Sequence, residues 1–159
     1  MKHTNDSTAH YSLQMTAEDI LQAAADILEQ RLRRQGSITE PAQAGDYLVA
    51  RCAHLAHEVF GVIFLDTRHR ILSTEHLFFG TLDACEVHPR VVAKRALELN
   101  AAATVLFHNH PSGNPEPSQA DRLITDRLKQ ALSLLDIRVL DHLVIGGRQH
   151  VSLAARGWV

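Results

Sequence analysis

ATVLFHNHPSGNPEPSQADRLITDRLKQALSLL, residues 103–135, carries the reading of the architecture. Residues 103–110 are almost wholly apolar, as expected of a strand covered on both faces. PSGNPEP then places three prolines and a glycine in seven residues, which makes a stiff turn. Ser118 stands where a helix N-cap belongs. SQADRLITDRLKQALSLL continues as a helix, with Leu123, Leu128, Ala131 and Leu135 on its predicted inner face. A buried strand leading into a helix is the unit from which α/β sheets are built.

The flanking sequence repeats that alternation. Before the stretch, VHPRVVAKRALELNA predicts a helix opened near Pro89. EVFGVIFLDTRHRILSTEHLFFG predicts strands at 58–65 and 70–79 around a polar turn, Asp66–His69. After it, IRVLDHLVIGGRQHVSL predicts two strands about Gly146 and Gly147, a hairpin signal. Further upstream, Thr16 is the expected N-cap of TAEDILQAAADILEQRLRRQG. Ile20, Leu21, Ala24, Ile27, Leu28 and Leu32 mark one face there, and Gly36 closes the helix. Residues 37–39 read as a linker, followed by a helix from Thr39, with Pro41 in its first turn, to about residue 56. Residues 1–14 are polar and expected to be disordered. The expected fold is α/β, a mixed sheet flanked by helices, with an additional N-terminal helix.

Composition narrows the function. A chain of 159 residues, 45% hydrophobic and 21% charged, is one ordinary globular domain in size. A net charge of −2 argues against a dominant phosphate-binding surface. Cys52 and Cys85 match no zinc or redox spacing and are read as reduced, buried thiols of a cytoplasmic protein. No apolar run is long enough to span a membrane, and MKHTNDSTAH lacks the apolar core of a signal peptide.

His108 and His110 lie two apart at the end of the apolar strand, so both side chains point to one side, where open α/β sheets build their sites. The turn brings the chain back, and Asp121 lies one turn into the next helix. Two imidazoles and a carboxylate suit zinc, which in catalytic sites keeps three protein ligands and leaves the fourth position to water. Ser118 and Asp121 fit a helix capping box equally well, with no metal needed.

The joint pattern, His-x-His followed after seven residues by Ser-x-x-Asp, resembles the JAMM signature of the JAB/MPN metalloproteases. VHPRVVAKRALELNAAATVLFHNHPSG and VLDHLVIG are similar to the bacterial RadC-like branch of that superfamily, and the resemblance covers about residues 40–159. It implies an MPN fold, related to the cytidine deaminases, spanning residues 40–159 behind a tail and amphipathic helix at 1–39. It implies one zinc per chain held by His108, His110 and Asp121, with Ser118 hydrogen-bonding the oxyanion or the reactive water. It also implies that Glu58, in the E-V-F motif, is the general base; spacing alone leaves Glu75, Glu86 and Asp83 equal to it. His142 matches the family too and is expected to make a structural hydrogen bond. His54, His57, His69 and His76 are read as surface or isolated core positions.

The expected activity is a zinc-dependent hydrolase, of metalloprotease or isopeptidase type, acting on a peptide, isopeptide or other amide. The alternatives are a DNA-repair-associated or nucleic-acid-processing protein and a non-catalytic MPN scaffold. The chain keeps every ligand of the signature, which disfavours the scaffold. Residues 1–39 offer one amphipathic helix and no Gly-x-Gly hairpin, where longer RadC-like proteins carry a helix-hairpin-helix region associated with DNA, so no sequence-specific nucleic-acid partner is expected. A zinc deaminase would need His-x-Glu with Pro-Cys-x-x-Cys, and neither appears. The N-terminal helix is expected to mediate a homodimer or to cover the sheet.

Overall fold

The computed structural model describes residues 15–38, 41–80 and 85–159; the expectations for residues 1–14, Thr39 and Asp83 fall outside them. The elements in chain order are α1 (Ala17–Gln35), α2 (Pro41–Cys52), β1 (Val59–Leu65), β2 (Ile71–Phe79), α3 (Pro89–Glu98), β3 (Ala103–Asn109), α4 (Gln119–Ser133), β4 (Arg138–Gly146) and β5 (Gln149–Ser152). The five strands form one mixed sheet in the order β2-β1-β3-β4-β5. β1 runs antiparallel to β2 and β3, β3 and β4 are parallel, and β5 returns antiparallel to β4. A parallel pair needs a long crossover, and α4 supplies it.

β1 and β3 are buried along their whole length because helices cover both faces of the sheet. Side chains alternate between two layers. Ile63 and Leu65 of β1, with Val105 and Phe107 of β3, pack with Tyr47, Leu48, Ala25 and Leu32 of α1 and α2. Phe60, Val62 and Phe64, with Leu106, pack with Val92, Ala96, Leu128 and Leu132 of α3 and α4. The even-numbered row of the central strands therefore faces α4.

Thr16 caps α1 as predicted: its hydroxyl accepts the Asp19 amide at 3.1 Å, and the Asp19 carboxylate accepts the Thr16 amide at 2.8 Å. The inward stripe of α1 is rotated from the predicted one. Ala25, Leu28 and Leu32 face the body, while Ile20 and Ile27 are 55% and 52% exposed. The helix packs on α2 rather than flat on the sheet, and the small Ala25 permits the close approach. Within the expected linker, Ile38 is anchored: its side chain is buried and its amide donates to the His69 carbonyl at 2.9 Å.

Candidate metal centre

The row that faces α4 ends in the histidines. Phe60 pairs with His108 across β1 and β3, and Leu106 pairs with His142 across β3 and β4, so His108 and His142 lie on the α4 side of the sheet. His108 and His142 are buried, and His110 is half-buried at the mouth. Beyond the strand, the His110 amide donates to the Ile145 carbonyl at 2.7 Å, which keeps the chain extended into the proline loop. The loop is held at three points. His110 Nδ1 lies 2.8 Å from the Asn114 carbonyl. Arg156 grips Glu116 with two contacts, of 2.6 and 2.7 Å. Gly146 of β4 lets the loop lie against the strand: a Cβ there would stand 2.6 Å from the Asn114 carbonyl carbon and 2.8 Å from the Gly113 oxygen.

Ser118 opens α4 as its N-cap, accepting the Asp121 amide at 3.1 Å, while Asp121 Oδ2 accepts the Ser118 amide at 2.7 Å. The capping box that the sequence allows is thus formed, and it does not compete with a role at the site. Asp121 Oδ1 lies 3.1 Å from His108 Nε2, and Oδ2 lies 3.4 Å from His110 Nε2. The two Nε2 atoms are 3.0 Å apart. A tetrahedron with bonds of about 2.0–2.1 Å has edges of about 3.3–3.4 Å, so this triangle has the size of one face of a zinc site. His108, His110 and Asp121 are the one group of metal-ligating side chains that converges among the described residues.

The chemistry of the donors fits a cation as well. Asn114 offers His110 a carbonyl, which can only accept, so His110 Nδ1 carries the proton and the neutral ring turns the Nε2 lone pair inward. A lone pair facing a carboxylate and a second imidazole nitrogen at about 3 Å repels both unless a proton or a metal ion lies among them. Burial alone would raise the Asp121 carboxyl, but the contacts from His108 and His110 outweigh it and hold the group far below the ordinary range, so Asp121 is ionised. Without an ion, a proton taken up on His110 Nε2 would be held by a hydrogen bond to the Asp121 carboxylate, which raises His110 above its ordinary value.

Glu58 immediately precedes β1. It lies two residues before Phe60 as His110 lies two after His108, so the antiparallel register brings it alongside His110 on the same side. It lines, with His108, His110, Ser118 and Asp121, a cavity of about 570 Å³. Burial pushes its carboxyl above the ordinary carboxylate range, against the pull of His108 and His110. Of its rivals, Glu75 is committed elsewhere: Arg95 binds it at 2.7–3.0 Å on β2. Glu86 lines the same cavity with its side chain 86% exposed.

Asn109, Phe60 and Thr125 serve this site and were missed in the sequence, whereas His142 makes the structural hydrogen bonds expected of it. Asn109, the residue between the two histidines, turns to the opposite face. There its Oδ1 accepts the Val59 amide at 2.8 Å and its Nδ2 donates to the His57 carbonyl at 3.1 Å, clamping the backbone on both sides of Glu58. Phe60 stacks on His108 with centroids 6.1 Å apart. Thr125 lies 2.6 Å from His142 Nδ1, and His142 Nε2 lies 2.8 Å from His108 Nδ1. Cys52 is buried as expected, but Cys85 is only half-buried and lines the cavity. Burial, with the charge of Glu58, pushes its thiol up to about 11.

A five-stranded mixed sheet with helices on both faces, and two histidines and an aspartate gathered at the end of its central strand, define a JAB/MPN-type domain. The family model of the RadC-like JAB domain matches residues 38–158, and the chain belongs to that family. Its relatives include a UPF0758 protein of Vibrio cholerae serotype O1, 54% identical over 140 residues that make up 88% of each chain. A UPF0758 protein of Stutzerimonas stutzeri is 50% identical over 156 residues, 96% of this chain and 70% of the relative. One of Xanthomonas campestris pv. campestris is 57% identical over 128 residues, 80% of this chain and 57% of the relative. The chain therefore spans most of the Vibrio relative and little more than half of the Xanthomonas one. No helix among the described residues is long and apolar enough to cross a membrane.

Proposed function

We propose that the chain is a zinc-dependent hydrolase of an amide bond, of the metalloprotease or isopeptidase type. The observation that carries this reading is the convergence of His108, His110 and Asp121, at the spacing of one face of a zinc tetrahedron, in a cavity that Glu58 also lines. Bound there, zinc would supply Lewis acidity and acidify water to a pKa of about 7. The chain's own residues do the rest. Glu58, whose carboxyl is raised by burial, takes the proton of the attacking water and returns it to the leaving amine. The Ser118 oxygen accepts the Asp121 amide, which leaves its own O–H to donate to the developing oxyanion. Cys52 and Cys85 stand apart as free thiols, which supports a cytoplasmic setting. Ile20 and Ile27, exposed on α1, support a homodimer through that helix.

The test is turnover on a panel of ubiquitin-like isopeptides, short peptides and acyl amides. The expected result is hydrolysis of at least one class that a chelator stops, zinc restores and Asp121→Ala lacks. Hydrolysis that survives both chelation and Asp121→Ala would refute the reading.

A further inference from the structure

His142 and Thr125 are buried beneath the site without touching the cavity, and the hydrogen bonds between them admit one consistent assignment of protons. The Thr125 hydroxyl lies 2.6 Å from the Asp121 backbone carbonyl, an acceptor only, so its single proton goes there. The same oxygen lies 2.6 Å from His142 Nδ1 and must then accept, which puts a proton on Nδ1. His142 is fully buried and its ring nitrogens meet only Thr125 and His108 among the described residues, with no described carboxylate bonded to the ring, so it is neutral and its Nε2 holds a lone pair. At 2.8 Å that lone pair accepts from His108 Nδ1. The remaining nitrogen of His108, Nε2, is left unprotonated and faces Asp121 Oδ1 and His110 Nε2.

We infer that Thr125 and His142 are positioning residues that fix the tautomer of His108, so that Nε2 is presented to the metal without a proton to displace. The relay starts on the backbone of one expected ligand, Asp121, and ends on the ring of another. It thereby couples the first turn of α4 to β3 through the floor of the site. Were a donor rather than an acceptor set against Nδ1, the ring would keep its proton on Nε2, the wrong atom. The relay closes that option with groups that cannot reach the substrate. Its consequence for zinc rests on the metal-binding reading above; its geometry does not.

The experiment uses the full chain, labelled with nitrogen-15 and stripped of metal, at a pH about two units above the ordinary histidine value of about 6.5. Two-bond proton–nitrogen correlations report which ring nitrogen carries the proton. His108 and His142 should both be protonated on Nδ1, the proton that the metal-free ligand triangle takes up should lie on His110 Nε2, and a proton on His108 Nε2 would overturn the inference. Thr125→Val keeps the shape and removes the acceptor for His142. It should shift the His108 tautomer and weaken zinc binding roughly 10–100-fold, with Thr125→Ser restoring both. A folded Thr125→Val with the wild-type tautomer and wild-type zinc affinity would also overturn the inference. Should that variant not fold, the wild-type spectrum alone decides. Should the wild-type chain bind no zinc, the proposed function fails while the spectrum still tests the relay.

Discussion

Gly146→Ala perturbs the site without touching a reactive group. The new Cβ would lie 2.6 Å from the Asn114 carbonyl carbon and 2.8 Å from the Gly113 oxygen, and Pro115 is closer still. Ordinary contact begins near 3.4 Å, so the loop must retreat by about 0.6 Å at Gly113, about 0.8 Å at Asn114 and about 1 Å at Pro115. All these atoms are backbone, and no flexible side chain can absorb the shift. The hydrogen bond from His110 Nδ1 to the Asn114 carbonyl, 2.8 Å long, would be carried to or beyond its limit. Overpacking of this kind costs about 1–3 kcal/mol. In a chain of this size each kcal/mol lowers Tm by about 2–4 °C. Loss of the bond that orients His110 should weaken zinc binding by roughly tenfold or more. The assays are thermal melting of the metal-free chain and a competitive zinc titration. Gly147→Ala is the control. Gly147 has a positive φ of 58°, but a Cβ there would meet only the Gly113 oxygen at 3.5 Å, an ordinary contact. It should lose about 1–2 kcal/mol to backbone strain and keep its zinc affinity. A Gly146→Ala protein with wild-type Tm and wild-type affinity, or a Gly147→Ala protein that loses zinc equally, would refute the reasoning.

Glu58→Gln keeps the size of the side chain but cannot take a proton, so it should bind zinc normally while turnover falls by roughly 10²–10⁴. Loss of zinc would make Glu58 a ligand, and full activity would pass the role of base to Glu86, which lines the same cavity, since Glu75 is held by Arg95. Burial, with the Arg51 charge, holds His76 down to about 4 against 6.5 when free. Between those values the unfolded chain takes up a proton that the folded chain refuses. Its contribution to stability is therefore full above 6.5 and declines as pH falls toward 4. His76→Phe should flatten that part of the melting-temperature profile, and an unchanged slope would count against it. With a net charge of −2, the chain should show no nanomolar, sequence-preferring DNA shift in a gel at physiological salt.

What the sequence made legible is local. The apolar run of β3 and the caps Thr16 and Ser118 depend on neighbours a few residues away. The same is true of the shared side of His108 and His110. Glu58 was different: β1 meets β3 through an antiparallel register fifty residues apart, and only the family resemblance separated it from Glu75 and Glu86. The inner face of α4 was misread for an instructive reason. Counting leucines turned Leu123 and Leu135 inward, but they are 57% and 39% exposed, and the buried row is Asp121, Thr125, Leu128 and Leu132. At a site the polar residues face inward, so apolar periodicity misleads there. His142 and Thr125 lie seventeen residues apart on different elements, and no pattern in the chain joins them before it folds.

The metal content of the purified protein tests the zinc site most directly. Full-length chain, isolated without chelator in zinc-supplemented buffer and checked for folding, should carry about one zinc by elemental analysis, because three convergent ligands and a water complete a site. Asp121→Ala and His108→Ala, prepared alongside, should lose the stoichiometric ion. Folded wild-type protein that holds no zinc, or an Asp121→Ala protein that holds as much as the wild type, would contradict the account.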